Sequence, residues 1–109
     1  MDPELKRMLV KQINVRSPSS YTAAGDQVLS AAVPMPAHVE LVKSVGAESA
    51  GKESVVHHLV ITELELRRDD FVWMPGDDPL DLNLRKAPTS VDVFFDPETG
   101  LVDHYETTI

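Results

Sequence analysis

Turn-forming residues interrupt this chain about once every dozen residues, a spacing typical of sheet proteins with many short strands. Between the turns, the chain is rich in Val, Ile and Thr, and apolar residues alternate with polar ones. A two-residue alternation places apolar side chains on one face of an extended strand. The pattern therefore predicts five or six short strands and little helix.

The predicted strands cover residues 8–16, 33–45, 55–66, 71–74, 90–95 and 101–109. Asp2 followed by Pro3 is a helix-start signal and predicts a short helix at the N-terminus. Pro34 and Pro36 cannot donate a ladder hydrogen bond, so they suit an edge or the start of a strand. We expect a single domain over residues 1–109 with an all-β fold, a small β-barrel or sandwich with long loops.

Two segments are too long for tight turns. Residues 46–54 are small and polar, and residues 76–88 form an irregular, acidic segment after the Pro75-Gly76 turn. Long loops carried by a rigid scaffold are common sites of interaction. We expect both segments to contact other molecules.

Composition excludes several classes of site. The chain has no cysteine, which rules out disulfides, thiolate nucleophiles and Cys-based metal sites. It has no apolar run of the length that spans a membrane, and its first residues do not resemble a signal peptide. The protein is expected to stay in a cytoplasm or in a particle assembled there. Its net charge of −8 argues against tight duplex binding.

One segment approaches a nucleotide-binding motif. Residues 46–52 match the start of the phosphate-binding loop G-x-x-x-x-G-K, but Glu53 follows Lys52 where a hydroxyl should hold magnesium. The following segment is also predicted to be a strand instead of a helix. A hairpin loop is the better interpretation.

The positions of the histidines and acids in the sequence do not indicate a metal site or a catalytic site. His57 and His58 are adjacent, so a strand would direct them to opposite faces. His38 and His104 are isolated in the sequence. The acids at 77, 78 and 81 lack the glycine and spacing of a calcium loop. We therefore expect no catalytic residues, no metal ligands and no cofactor.

Several short motifs together resemble a known family. They are Gly25-Asp26, Ala37-His38-Val39-Glu40, Asp70-Phe71-Val72-Trp73-Met74-Pro75-Gly76-Asp77-Asp78, and the ending His104-Tyr105-Glu106-Thr107-Thr108-Ile109. Across nearly its whole length, the chain resembles the head–tail joining proteins of tailed bacteriophages. These are the stopper or head-completion class of small neck proteins.

The resemblance implies a structural virion protein and not an enzyme. Such proteins form a ring, usually of about six copies, beneath the portal and adaptor. The ring continues the DNA channel, retains packaged DNA without sequence-specific binding and docks the tail. The implied location is the virion neck, with assembly in the host cytoplasm and with neither a membrane nor a small-molecule substrate as partner. We expect Asp77, Asp78 and Asp81 to face the channel or a subunit contact.

Alternatives remain open at this stage. Within the same biology, a tail terminator or another ring-forming neck protein has a similar size, although a terminator is expected to carry helices packed on its sheet. From a different class, a small nucleotide- or metal-binding enzyme rests on Lys52 and the scattered histidines. A monomeric β-domain that binds peptides at a strand edge is a third class.

The segment around the single tryptophan supplies the predicted core. In residues 71–74, Phe71 and Trp73 share one face of a strand, and Val72 and Met74 share the other. Large aromatic side chains bury the most surface, so Phe71 and Trp73 are predicted to form the core.

Overall fold

The computed structural model describes residues 3–45 and 54–109, and it describes side chains within them except at 43–45 and 54–56. A short helix comes first, as predicted: α1 (Pro3–Arg7). Eight strands follow within the described residues: β1 (Lys11–Arg16), β2 (Pro18–Tyr21), β3 (Gln27–Leu29), β4 (Val33–Val45), β5 (Ser54–Thr62), β6 (Phe71–Trp73), β7 (Ser90–Phe95) and β8 (Val102–Thr108). One turn of 3-10 helix spans Leu82–Leu84. The predicted all-β fold is confirmed.

Six of the strands form one antiparallel sheet in the order β6-β1-β4-β5-β8-β7, and β2 pairs with β3 in a separate ribbon. The ribbon was not predicted, because its residues look like loop chemistry. Pro34 and Pro36 lie at the start of a strand, β4, which is one of the two predicted positions, although β4 is a central strand of the sheet. At both prolines, however, β4 pairs with β1 alone, because its pairing with β5 begins at Ala37. A proline is tolerated there because one side of the strand has no ladder partner.

The large sheet is curled but remains open. Lys86 pairs with Val72 on the outer side of β6, and β7 begins at Ser90. Four residues of chain span at most about 14 Å. In a flat sheet, however, the two edges would be separated by roughly 25–30 Å, given strands about 4.8 Å apart. The sheet must therefore curl to bring its edges near each other, although β6 and β7 do not pair. Of the two predicted architectures, a closed barrel is not formed.

The core cluster lies against one face of the large sheet. Alternate residues Ile13 and Val15 of β1 are both buried, as the two-residue period predicts. The rest of the cluster comes from neighbouring strands and from loops that cross this face: Met35, Ala37, Val60, Leu66, Val72 and Met74, with Val39 and Ile109 packed against them. Leu66 belongs to the cluster because β5 ends at Thr62, earlier than predicted, and the chain then turns back. The Thr62 hydroxyl donates a 2.6 Å hydrogen bond to the carbonyl of Leu64 at this turn.

The predicted aromatic core is confirmed for Trp73 and wrong for Phe71. Trp73 is fully buried, but Phe71 is half-buried, and it is Val72 and Met74 that join the main cluster. Both faces of β6 are covered. One face meets the core, and the other lies under the 76–88 segment, which shields Trp73 from solvent. A two-residue alternation predicts which face of a strand meets the core. It does not predict that another segment will cover the opposite face.

The β4–β5 connection, residues 46–53, lies outside the described residues, so the predicted loop and its Lys52 are not described. The β7–β8 connection lies beyond the C-terminal end of β5, because β8 pairs with the C-terminal residues of β5, from Leu59 to Thr62. Within the described residues, no helix has the length and apolar character needed to cross a membrane.

Candidate functional site

The C-terminal hairpin, β7 and β8, forms one edge of the large sheet. Its turn folds from local chemistry: the Asp96 carboxylate accepts a hydrogen bond from the backbone N–H of Glu98 at 2.8 Å. Gly100 has a φ of +73°, a conformation that L side chains rarely adopt. Sequence reasoning predicted this hairpin within one residue at its inner ends. The tip extends past β5, since Val102 to His104 pair with β7 and not with β5.

The hairpin exposes large apolar side chains on both faces. We call these residues the hairpin surface: Val93 (42% exposed), Phe94 (42%), Phe95 (61%), Leu101 (69%) and Val102 (42%). Single exposed apolar residues are ordinary, but contiguous groups mark sites of association. An edge strand also presents unpaired backbone groups. The hairpin therefore has the two properties expected of an assembly surface.

The charges around this surface have one sign. Residues 87–109 contain five carboxylates (Asp92, Asp96, Glu98, Asp103 and Glu106) and no Lys or Arg. This segment accounts for −5 of a net charge of −8, before any charge on His104. A surface with one sign of charge attracts partners of the opposite sign and repels its own copy.

His104 is held between two of these carboxylates. Its Nδ1 lies 2.6 Å from Asp103 Oδ2, and its Nε2 lies 3.0 Å from Glu106 Oε2. The ring stacks on Phe94, with centroids 4.7 Å apart. Burial of the ring acts to lower the pKa of His104, but the hydrogen bonds and charges of Asp103 and Glu106 outweigh it and raise the pKa. Both ring nitrogens face carboxylate oxygens, and this arrangement favours the protonated, positively charged ring.

A groove of about 600 Å³ opens beside this histidine. Its lining residues come from the hairpin and from the start of α1: Pro3, Phe94, Phe95, Asp96, Pro97, Glu98, Asp103 and His104. The lining includes both apolar rings and carboxylates, which suits contact with a chain that carries both apolar and basic side chains. Among residues 3–45 and 54–109, no three His, Asp or Glu side chains converge to hold a metal ion.

The 76–88 segment packs against β6 and β1, the two strands farthest from the hairpin in the strand order. Trp73 Nε1 donates a 2.8 Å hydrogen bond to the carbonyl of Asp81, and Arg16 Nη1 donates one of 3.0 Å to the carbonyl of Pro79. Lys86 and Val72 exchange two backbone hydrogen bonds of 2.8 and 2.9 Å. The segment therefore packs over β1 and β6 instead of extending away from the domain.

The three acids predicted to face a channel or subunit lie in this segment. Asp78 accepts a hydrogen bond from the Leu80 N–H, and Asp81 caps the 3-10 helix by accepting one from the Asn83 N–H, each at 3.0 Å. Asp77 is partly buried, whereas Asp78 and Asp81 are exposed. Two of the three carboxylates thus have a local structural role. Their contact with a channel or subunit stays a prediction.

The 76–88 segment also exposes three leucine side chains. Leu80 is 77% exposed, Leu82 46% and Leu84 38%. Beside Leu82 lies a recess of about 340 Å³, lined by Asp26, Gln27, Leu29, Phe71, Leu82 and Arg85, which we call the Arg85 recess. The Arg85 guanidinium lies 5.2 Å from the centre of the Phe71 ring, a cation–π contact that orients it over the recess.

Sequence reasoning selected the 76–88 segment but missed the recess that it forms with Phe71, and it missed the hairpin surface. His104 looked isolated in the sequence because its neighbours Asp103 and Glu106 were not examined as partners on the same strand. On a strand, positions 104 and 106 share a face, and this alternation could have revealed the pair. Nothing in the sequence brings Arg85 to Phe71, since the contact depends on how the 76–88 segment folds back.

No family model, no curated protein and no solved structure matches this chain.

Proposed function

We propose that the protein is a structural component of the neck of a tailed bacteriophage. It forms a ring below the portal and adaptor that continues the DNA channel, retains packaged DNA and docks the tail. The sequence resemblance to the stopper or head-completion class supports this role. The all-β fold agrees with that class, which implies a small β-barrel, although the sheet of this chain does not close.

One structural observation carries the proposal. The domain exposes apolar groups at two different places in the strand order, the hairpin surface on β7 and β8 and the leucines of the segment tied to β1 and β6. A closed ring of identical subunits needs contacts between two unlike patches. The two exposed apolar groups of this domain agree with that requirement.

The charge distribution agrees with this role. A net charge of −8 gives a surface that repels the DNA backbone. DNA that must pass through a channel needs walls that do not bind it tightly. Retention of the DNA would then depend on the geometry of the ring.

The location of the chain in phage particles tests the proposal. DNA-filled tailless heads, free tails and complete virions of the encoding phage would be separated, and the chain would be quantified in each by mass spectrometry. A stopper is expected on filled heads and on virions, in about six copies per particle. Absence from both would refute the neck assignment.

The same experiment separates the two neck roles. A tail terminator would be found on free tails instead of tailless heads. Genes for portal, capsid and tail proteins beside this gene would support either role. A metabolic operon would instead favour the enzyme alternative, for which magnesium-dependent ATP binding that is lost in Lys52→Ala is the direct test.

A further inference from the structure

We propose that the hairpin surface of one copy docks against the Arg85 recess of the next copy, so that subunits associate head to tail. The inference deepens the proposed function and rests on its ring of identical copies. It assigns the subunit contact to two specific patches that differ in charge and shape.

Charge selects this pairing over others. The hairpin carries five carboxylates and no Lys or Arg, whereas Arg85 supplies a cation to the lining of the recess. Of the six residues that line the recess, Asp26 alone carries a carboxylate. Hairpin-to-hairpin association would bring like charges together, which costs free energy and slows encounter. Opposite charges therefore favour contact between unlike patches.

Shape is complementary as well. Phe95 and Leu101, 61% and 69% exposed, are the most exposed members of the hairpin surface. The recess has apolar walls from Leu29, Phe71 and Leu82, and its volume of about 340 Å³ accommodates side chains of this size. Buried apolar anchors with charged residues at the rim are the usual anatomy of a protein interface.

The hairpin also has the reach to make this contact. Its tip extends past the last residues that pair with β5, so neither Phe95 nor Leu101 belongs to the main core. The recess lies at the other end of the strand order, beside β6. The contact joins different parts of the chain, residues 95–101 of one copy and residues 26–29, 71 and 82–85 of the next.

Disulfide cross-linking tests the contact without background, because the chain has no cysteine of its own. Thr99→Cys places a thiol at the hairpin tip, and Asn83→Cys places one beside the recess; both positions are exposed. Mixing the two variants under mild oxidation should give a disulfide-linked dimer of unlike subunits. Either variant alone should give little dimer.

A charge reversal provides the matched comparison. Arg85→Glu in the Asn83→Cys subunit should lower the yield by about tenfold, in the range of a central interface residue. Lys11→Glu makes the same change at an exposed position on β1 and should leave the yield unchanged. Equal losses from both reversals would overturn the assignment, because the effect would then follow net charge alone.

Other outcomes also decide the matter. Strong dimer formation by Thr99→Cys alone would mean that hairpins pair with each other, and no cross-link at high protein concentration would mean that the two patches do not meet. Either result overturns the contact. If the chain is still found on filled heads, the proposed function stands without this interface. If the cross-link forms but the chain is absent from particles, the contact stands and the neck role fails.

Discussion

Substitution of Trp73 tests the packing that holds the 76–88 segment in place. The side chain is fully buried, and its Nε1 donates a 2.8 Å hydrogen bond to the Asp81 carbonyl. Trp73→Ala empties a large buried site and should lower the free energy of unfolding by ~3–5 kcal/mol. Trp73→Phe keeps a ring but loses the donor, so we expect a smaller cost of ~1.5–2.5 kcal/mol.

Urea denaturation followed by far-ultraviolet circular dichroism measures both costs, because the substitutions remove the chain's single tryptophan and its fluorescence. Phe95→Ala is the matched control: this aromatic residue is 61% exposed and should change stability by less than ~0.5 kcal/mol. A cost below ~1 kcal/mol for Trp73→Ala would refute the claim that the segment and Trp73 stabilise each other.

Three further predictions concern other parts of the structure. Asp70 is buried and accepts hydrogen bonds from the Ser17 hydroxyl (2.6 Å) and the Arg67 N–H (2.9 Å), so Asp70→Ala should cost ~1–3 kcal/mol by chemical denaturation and more than Ser17→Ala. Gly76 has a φ of +86° with open space around it, so Gly76→Ala should cost ~1 kcal/mol from the backbone alone and Gly76→Asn less; equal costs would contradict this reason. The folded pKa of His104 is raised, so its stabilisation is complete below the unfolded pKa and is lost as the pH rises through the folded value. The native protein should therefore exceed His104→Gln in stability by more at about pH 6 than at about pH 9, and a constant difference would contradict the carboxylate contacts.

The elements that sequence reasoning predicted well are those with a strong local signal. The bounds of β4 and β7 follow from alternation and turn chemistry, and the buried positions of Ile13 and Val15 follow from the strand period. The β2–β3 ribbon was missed because its serines and proline also form loops. Local residue preferences are weak predictors of strands that are this short and exposed.

The candidate surfaces were harder to predict because they depend on contacts between distant segments. Asp78 and Asp81 were selected for their charge, yet the structure uses them to cap local backbone groups. The recess exists because Arg85 returns to Phe71 after the 76–88 segment has packed on β1 and β6. Alternation along one strand cannot reveal a partner that lies ten or more residues away.

Removal of the gene from the phage genome that encodes the chain tests the central claim most directly. The retention of DNA by filled heads and the joining of heads to tails would be measured by nuclease protection and electron microscopy. The account predicts heads that package DNA but lose it, together with free tails of normal length, and rescue when the intact gene is supplied. Virions that form normally, retain their DNA and carry tails in the absence of this chain would contradict it.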